Sequence, residues 1–290
     1  MVNQLKTIAL LGGLSALLIG LGSLIGTGAM LLFAVLAIAM NIGAYFYSDR
    51  LVLRMQRAQP IDRRQAPKIH AMVEELARAA KIPTPRLYLV DDPQPNAFAT
   101  GRNPEHGVVA VTSGILQHLD ERELRGVIAH EIAHIKNRDI LIATVAAGIA
   151  SAVTFIANAL QFTAFFGGLG GDDEEHGSPF GALIVALIAP IGATLIQMAI
   201  SRSREFEADA TGARISGDPE GLARALERLQ RGSERIPSHA EPAGASLYIA
   251  NPLQGRSMAS LFSTHPDMGE RIRKLRAMNS SGPVRIRRVG

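Results

Sequence analysis

Apolar residues in this chain fall into long blocks separated by charged, patterned stretches. No charged residue occurs between Lys6 and Asp49, which is room for two membrane-spanning helices of about 20 residues each. Gly26-Thr27-Gly28 supplies a turn between them. Two further uncharged runs, Ile140 to Gly171 and Gly177 to Ser201, flank the polar segment Asp172 to His176. The pattern predicts four transmembrane helices, with Pro190 kinking the last. A cleaved signal peptide would need a short apolar region and a cleavage site, whereas the first run leads straight into a second span.

Elsewhere the period is that of a folded domain. Ile69, Met72, Val73, Leu76 and Ala80 share one helical face in the segment from Asp62 to Lys81, with Pro67 suited to a first turn. Arg86 to Val90, Asn96 to Thr100 and Val108 to Thr112 read as short strands separated by turn residues. Asp120 followed by Glu123 opens a helix carrying Leu124, Val127, Ile128, Ile132 and Ile135, and nothing stops it before Ile140. Asp218-Pro219 opens another, through Arg231, and Gly232 to Gly255 reads as a mobile loop rich in Ser, Pro, Gly and Ala. The expected fold is mainly α with a small β-sheet. Its parts are a membrane hairpin (1–48), a first folded segment (49–138), a second membrane hairpin (139–200) and a second folded segment (201–290).

Candidate chemistry lies in His130-Glu131-Ile132-Ala133-His134. Residues four apart share a helix face, so His130 and His134 can hold one metal ion with Glu131 beside it as a base. A catalytic zinc site needs a third protein ligand and one open position. Glu205 and Asp209, also four apart, can offer one carboxylate to the metal and another to a ligand histidine, or can be solvated partners of Arg202 and Arg204. The Asn96 to Thr100 strand is a candidate edge for an extended substrate, with Asn96 and Phe98 as substrate contacts.

The HEIAH motif, two apolar segments and then SRSREFEADATGA resemble the HtpX family of membrane-bound zinc metalloproteases, relatives of the CAAX prenyl endopeptidase. Asn96 to Gly101, Val109 to Gly114, Thr264-His265-Pro266 and Glu270-Arg271-Ile272 extend the likeness across most of the chain. The resemblance implies a zincin-like (gluzincin) domain with one zinc ion per subunit, held by His130, His134 and Glu205. It also implies Glu131 as general base, Asp209 as support for a ligand histidine, and His265 as a donor to the oxyanion. The implied substrates are misfolded or damaged membrane proteins, or unfolded polypeptides, cut at cytoplasmic segments in a bacterial inner membrane. A prenylated C-terminus is the substrate class of its relatives.

Composition fits this picture: 47% of residues are hydrophobic, only 19% are charged, and the net charge is +4. Lys6, Arg50, Arg54, Arg57, Arg63, Arg64, Lys136, Arg138, Arg202 and Arg204 flank the four apolar runs on one side, which places the catalytic side in the cytoplasm. The basic face matches a lipid bilayer, and no motif supports nucleic acid. The absence of cysteine removes disulfides. An intramembrane protease would bury its motif in an apolar span, yet Asp120 to Arg125 is strongly charged. A non-catalytic scaffold with structural zinc would give Glu131 no purpose.

Overall fold

The computed structural model describes residues 26–141, 204–240, 247–252 and 266–280, together with helical positions 11–13, 15–16, 19–20 and 22–23. The third and fourth apolar runs and His265 lie outside the described residues. The described part is mainly helical with one small mixed sheet.

Helix α1 (Thr27–Met55) is longer than the apolar run that predicted it. Gly26, at φ 148°, separates it from the preceding helical positions, as the turn signal predicted. The Asn41 side chain donates to Ser15 Oγ at 2.8 Å, tying that earlier segment to α1. Within α1, Met30–Tyr47 is long and apolar enough to cross a membrane, and almost none of it is buried in the chain. The last turns differ: Val52 and Leu53 are buried against the sheet.

The sheet runs β1 (Gln59–Pro60), β2 (Arg86–Val90), β4 (Val108–Thr112), β3 (Ala97–Thr100) across its width. β2 and β4 are parallel, while β1 and β3 are antiparallel to their neighbours. Alternation sorts side chains to two faces. Val109 and Val111 of β4, with Ala97 and Ala99 of β3, join the main core with α2 (Pro67–Ala80) and α4 (Glu121–Lys136). Val108, Ala110 and Phe98 pack on the other face with Val52, Leu53 and Tyr248. Both faces of β4 are therefore buried, which explains its continuous apolar run. A short helix, α3 (Ser113–His118), capped by Thr112 Oγ1, links β4 to α4.

α4 begins as its sequence predicts. The Asp120 carboxylate accepts from Glu123 N at 2.9 Å and Glu123 accepts from Asp120 N at 3.1 Å. Its end corrects the expectation of continuity to Ile140: Asn137 caps it, and Arg138 sits in the left-handed region at φ 57°. Three more helices complete the described domain: α5 over residues 204–216, α6 (Pro219–Arg235) and α7 (Met268–Ser280).

A second correction concerns the described part of Gly232 to Gly255; positions 241–246 and 253–255 lie outside the described residues. α6 continues to Arg235, and Tyr248, Ile249 and Ala250 are buried rather than mobile. Buried polar side chains from the β2–β3 connection hold this stretch. Asp92 accepts from Ser238 Oγ and His239 N at 2.7 and 3.0 Å, and Gln94 donates to Ile236 O at 2.7 Å.

Candidate metal centre

Two close helix contacts assemble the site. A Cβ on Gly212 of α5 would lie 2.9 Å from His130 Cα, and one on Gly126 of α4 would lie 2.7 Å from Leu222 N of α6. Glycine at these crossings lets the backbones approach and carries Glu205 and Asp209 to the His130 face of α4.

His130 Nε2 and His134 Nε2 lie 3.0 Å apart, and each is 3.6 Å from one Glu205 oxygen. A tetrahedral site with ligand bonds of about 2.0–2.1 Å places ligand atoms about 3.3 Å apart, so the three fit one small cation. Both outer ring nitrogens face carboxylates: His130 Nδ1 is 2.9 Å from Asp209 Oδ1, and His134 Nδ1 is 3.1 Å from both Asp139 oxygens. An Nδ1 proton on each ring, facing its carboxylate, leaves two Nε2 lone pairs directed at one place, which a cation reconciles.

Charge leads to the same fit. Glu131, Asp139, Glu205 and Asp209 are all buried, and the nearby guanidinium groups are those of Arg204 and Arg271. With all four ionised, two guanidiniums leave two negative charges unmatched; protonation of Glu131 and His134 offsets them in the metal-free protein, and a dication would offset them in its place. Glu131 Oε1 has no hydrogen-bond partner among the described residues. Burial drives the Glu131 carboxyl up to about 8, a shift that a neighbouring cation would reverse. Burial would push His134 down, but Asp139, then Glu205 and Glu131, outweigh it and lift the ring to about 9. His130 is lowered, chiefly by burial. Asp209 is held near 2 because Arg271, then His130, overcome its burial.

Two residues of this constellation have roles that the sequence reading did not assign. Arg271, fully buried on α7, makes paired 2.8 Å hydrogen bonds to Asp209 and lies 3.3 Å from Glu205 Oε2. Asp139 follows the left-handed turn at Arg138, which folds the chain back so that Asp139 N meets His134 O at 3.3 Å. An acid five residues beyond a ligand histidine, just past a helix end, is a signal that could have found Asp139. Arg271 offered only its place in a family-like motif.

The substrate-contact expectation is altered by packing. β3 is an edge of the sheet, but its neighbour is the chain itself: Phe98 bridges Tyr248, and Ile249 N donates to Ala97 O at 3.0 Å. The Asn96 carboxamide donates to Ala250 O at 2.7 Å and accepts from Ala250 N at 3.2 Å. Phe98 is buried edge-on against Tyr248, with ring centres 5.0 Å apart. In this structure Asn96 and Phe98 hold the chain's own segment 247–252 rather than presenting free groups to a substrate.

The model of peptidase family M48 matches residues 63–279, three-quarters of the chain, including every residue of this cluster. The chain belongs to peptidase family M48. Relatives agree along nearly the whole length. A "Protease HtpX homolog" of Desulfatibacillum aliphaticivorans is 50% identical over 296 residues, spanning 99% of this chain and 96% of that protein. Another, of Pelotomaculum thermopropionicum, is 51% identical over 281 residues, spanning 96% and 99%. Among solved structures, the crystal structure of S. mikatae Ste24p aligns with a TM-score of 0.52 at 20% identity. That alignment covers 95% of this chain but 65% of the Ste24p chain, so it speaks to the fold. This M48 chain is therefore a metalloprotease, which overturns the non-catalytic scaffold.

Proposed function

We propose that this M48 metalloprotease is a multi-pass endopeptidase of the bacterial inner membrane, with four spans and a cytoplasmic catalytic domain. It cleaves cytoplasmic segments of misfolded or damaged membrane proteins, using one zinc ion held by His130, His134 and Glu205. The observation that carries this reading is the convergence of three ligand atoms at 3.0–3.6 Å beside the buried Glu131. The exposed apolar face of α1, followed by arginines, supports the membrane assignment.

Zinc, when bound, supplies Lewis acidity that acidifies a water and polarises the scissile carbonyl. Glu131 accepts the proton of the attacking water and passes it to the departing amine. Asp209 and Asp139 hold the two imidazoles so that Nε2 faces inward, and Arg271 keeps Asp209 ionised and fixed. His265 is assigned as a donor to the oxyanion on the family resemblance.

The test is cleavage of an unfolded model polypeptide by detergent-purified wild type and Glu131→Gln, with metal content measured for both. Equal zinc with a loss of about 10²–10⁴-fold in cleavage is expected, in the range for removal of a general base. Comparable cleavage by both proteins would remove Glu131 from the reaction. Cleavage confined to prenylated peptides would replace the proposed substrate class.

A further inference from the structure

We infer that the cytoplasmic end of α1 forms a binding site for the phosphodiester headgroup of an anionic phospholipid. The inference rests on the membrane reading above. Arg50 and Arg54 stand four apart on one face of α1, and Arg57 follows its C-cap, Gln56. With Leu53, Gln59 and Tyr88 they line an open hollow of about 470 Å³, within the size range of small-molecule sites. All three arginines are exposed, and none forms an ion pair among the described residues. The adjacent carboxylate of Asp49 is already taken by Arg86 at 3.2 Å.

Depth selects the ligand. The apolar stretch of α1 ends at Tyr47. At a rise of about 1.5 Å per residue, Arg50 and Arg54 stand about 4.5 and 10.5 Å beyond it. A headgroup layer of about 5–8 Å on each face of the hydrocarbon contains the level of Arg50, and Arg54 stands just outside it, within the reach of a long side chain. Exposed Tyr45, Phe46 and Tyr47 mark the boundary as an interfacial aromatic belt would. Arg50 is stacked over the Tyr47 ring at 5.7 Å, and Arg102 reaches over Phe46 at 5.5 Å, so cationic groups are already organised at that level.

Backbone geometry adds to this. α1 ends with Arg57 N donating to Arg54 O and Ala58 N donating to Leu53 O, and Arg57 itself adopts φ 50°. Glycine is the usual residue at such a left-handed helix end. An arginine there accepts backbone strain and places a third guanidinium at the hollow. A planar guanidinium offers paired donors to phosphate oxygens, and three around one hollow form a localised site rather than a diffuse basic surface.

The test uses the full chain in nanodiscs of phosphatidylcholine with and without phosphatidylglycerol, read by native mass spectrometry of retained lipid. Wild type should retain phosphatidylglycerol, and R50Q/R54Q/R57Q should lose it by about tenfold or more, given the attraction of each basic residue near an anionic surface. R54Q alone should lose part of it. The charge-matched variant K68Q/R78Q/K81Q, at exposed positions of α2 and its C-cap, should retain it. Equal loss in both triple variants would reduce the effect to diffuse attraction and overturn the site. Displacement of the lipid by inorganic phosphate would assign the hollow to free phosphate and overturn the lipid occupant. Glu131-dependent cleavage and nanodisc retention are followed in the same samples. A protein that stays in the bilayer and cleaves without lipid selectivity defeats this inference alone, whereas one that never enters the bilayer defeats the membrane reading as well.

Discussion

The two histidines of the candidate metal centre sit one helical turn apart, yet they are held in opposite ways. His134 is steadied by Asp139, five residues further on, through a local turn. His130 is steadied by Asp209, on a helix far away in sequence, and Asp209 is itself locked by Arg271 from a third helix. One half of the site is thus made by local backbone geometry. The other exists only if α4, α5 and α7 pack together. Metal affinity should be separable from folding at His134 and inseparable from it at His130.

The largest test of that contrast is Arg271→Met. It strands Asp209 and Glu205 as buried carboxylates, and loss of one partner of a buried ion pair costs about 3–5 kcal/mol. Urea unfolding of the metal-free protein should show a loss of that size, and an unchanged midpoint would disprove the coupling. Gly212→Ala comes next. Its Cβ would meet His130 backbone atoms at 2.9 Å, and with backbone on both sides the helices must separate, at about 1–3 kcal/mol. A fall in zinc affinity should accompany that loss of stability. Asp139→Asn should behave differently: zinc affinity drops by about 10–100-fold, as for removal of a carboxylate behind a metal-binding histidine, while the urea midpoint above about pH 9, where the His134 ring is neutral, moves little. The smallest effect expected is at Asp120→Ala, which removes the α4 N-cap at about 1 kcal/mol and leaves zinc affinity unaltered.

Acidity sharpens the His134 half. In the metal-free protein the folded ring titrates near 9, above its ordinary 6.5. Its contribution to stability is therefore complete below about 6.5 and is lost as pH rises through about 9. Zinc uptake has the opposite sign, because His134 must shed its proton to bind. Affinity should rise with pH up to about 9, with proton release visible by calorimetry in buffers of different ionisation enthalpy. Asp139→Asn should move this pH dependence downward, and an unshifted profile would sever Asp139 from His134.

Much of the local architecture is legible in the sequence alone. The Asp120–Glu123 capping box, the shared face of His130 and His134, β2 and β4 to the residue, and the Pro67 start of α2 all follow from rules acting over a few residues. Errors clustered where contacts are long-range. The stretch after α6 looked mobile by composition, but Asp92, Gln94 and Asn96 bind its backbone from more than a hundred residues away. The same pairing occupies the β3 edge, which alternation alone left open.

For the site, the sequence by itself determined the donor atoms of α4 and their spacing, because i to i+4 geometry is intrinsic to a helix. It also determined that Glu205 and Asp209 share a face, without deciding which meets the Nε2 pair and which the outer nitrogen of an imidazole. Only the tertiary structure decided that, through the Gly212 crossing that sets Asp209 against His130 Nδ1 and brings both Glu205 oxygens near the Nε2 pair. Arg271 belongs wholly to that second category. A buried guanidinium is identified by the carboxylates packed around it, and chain order does not record which residues those are.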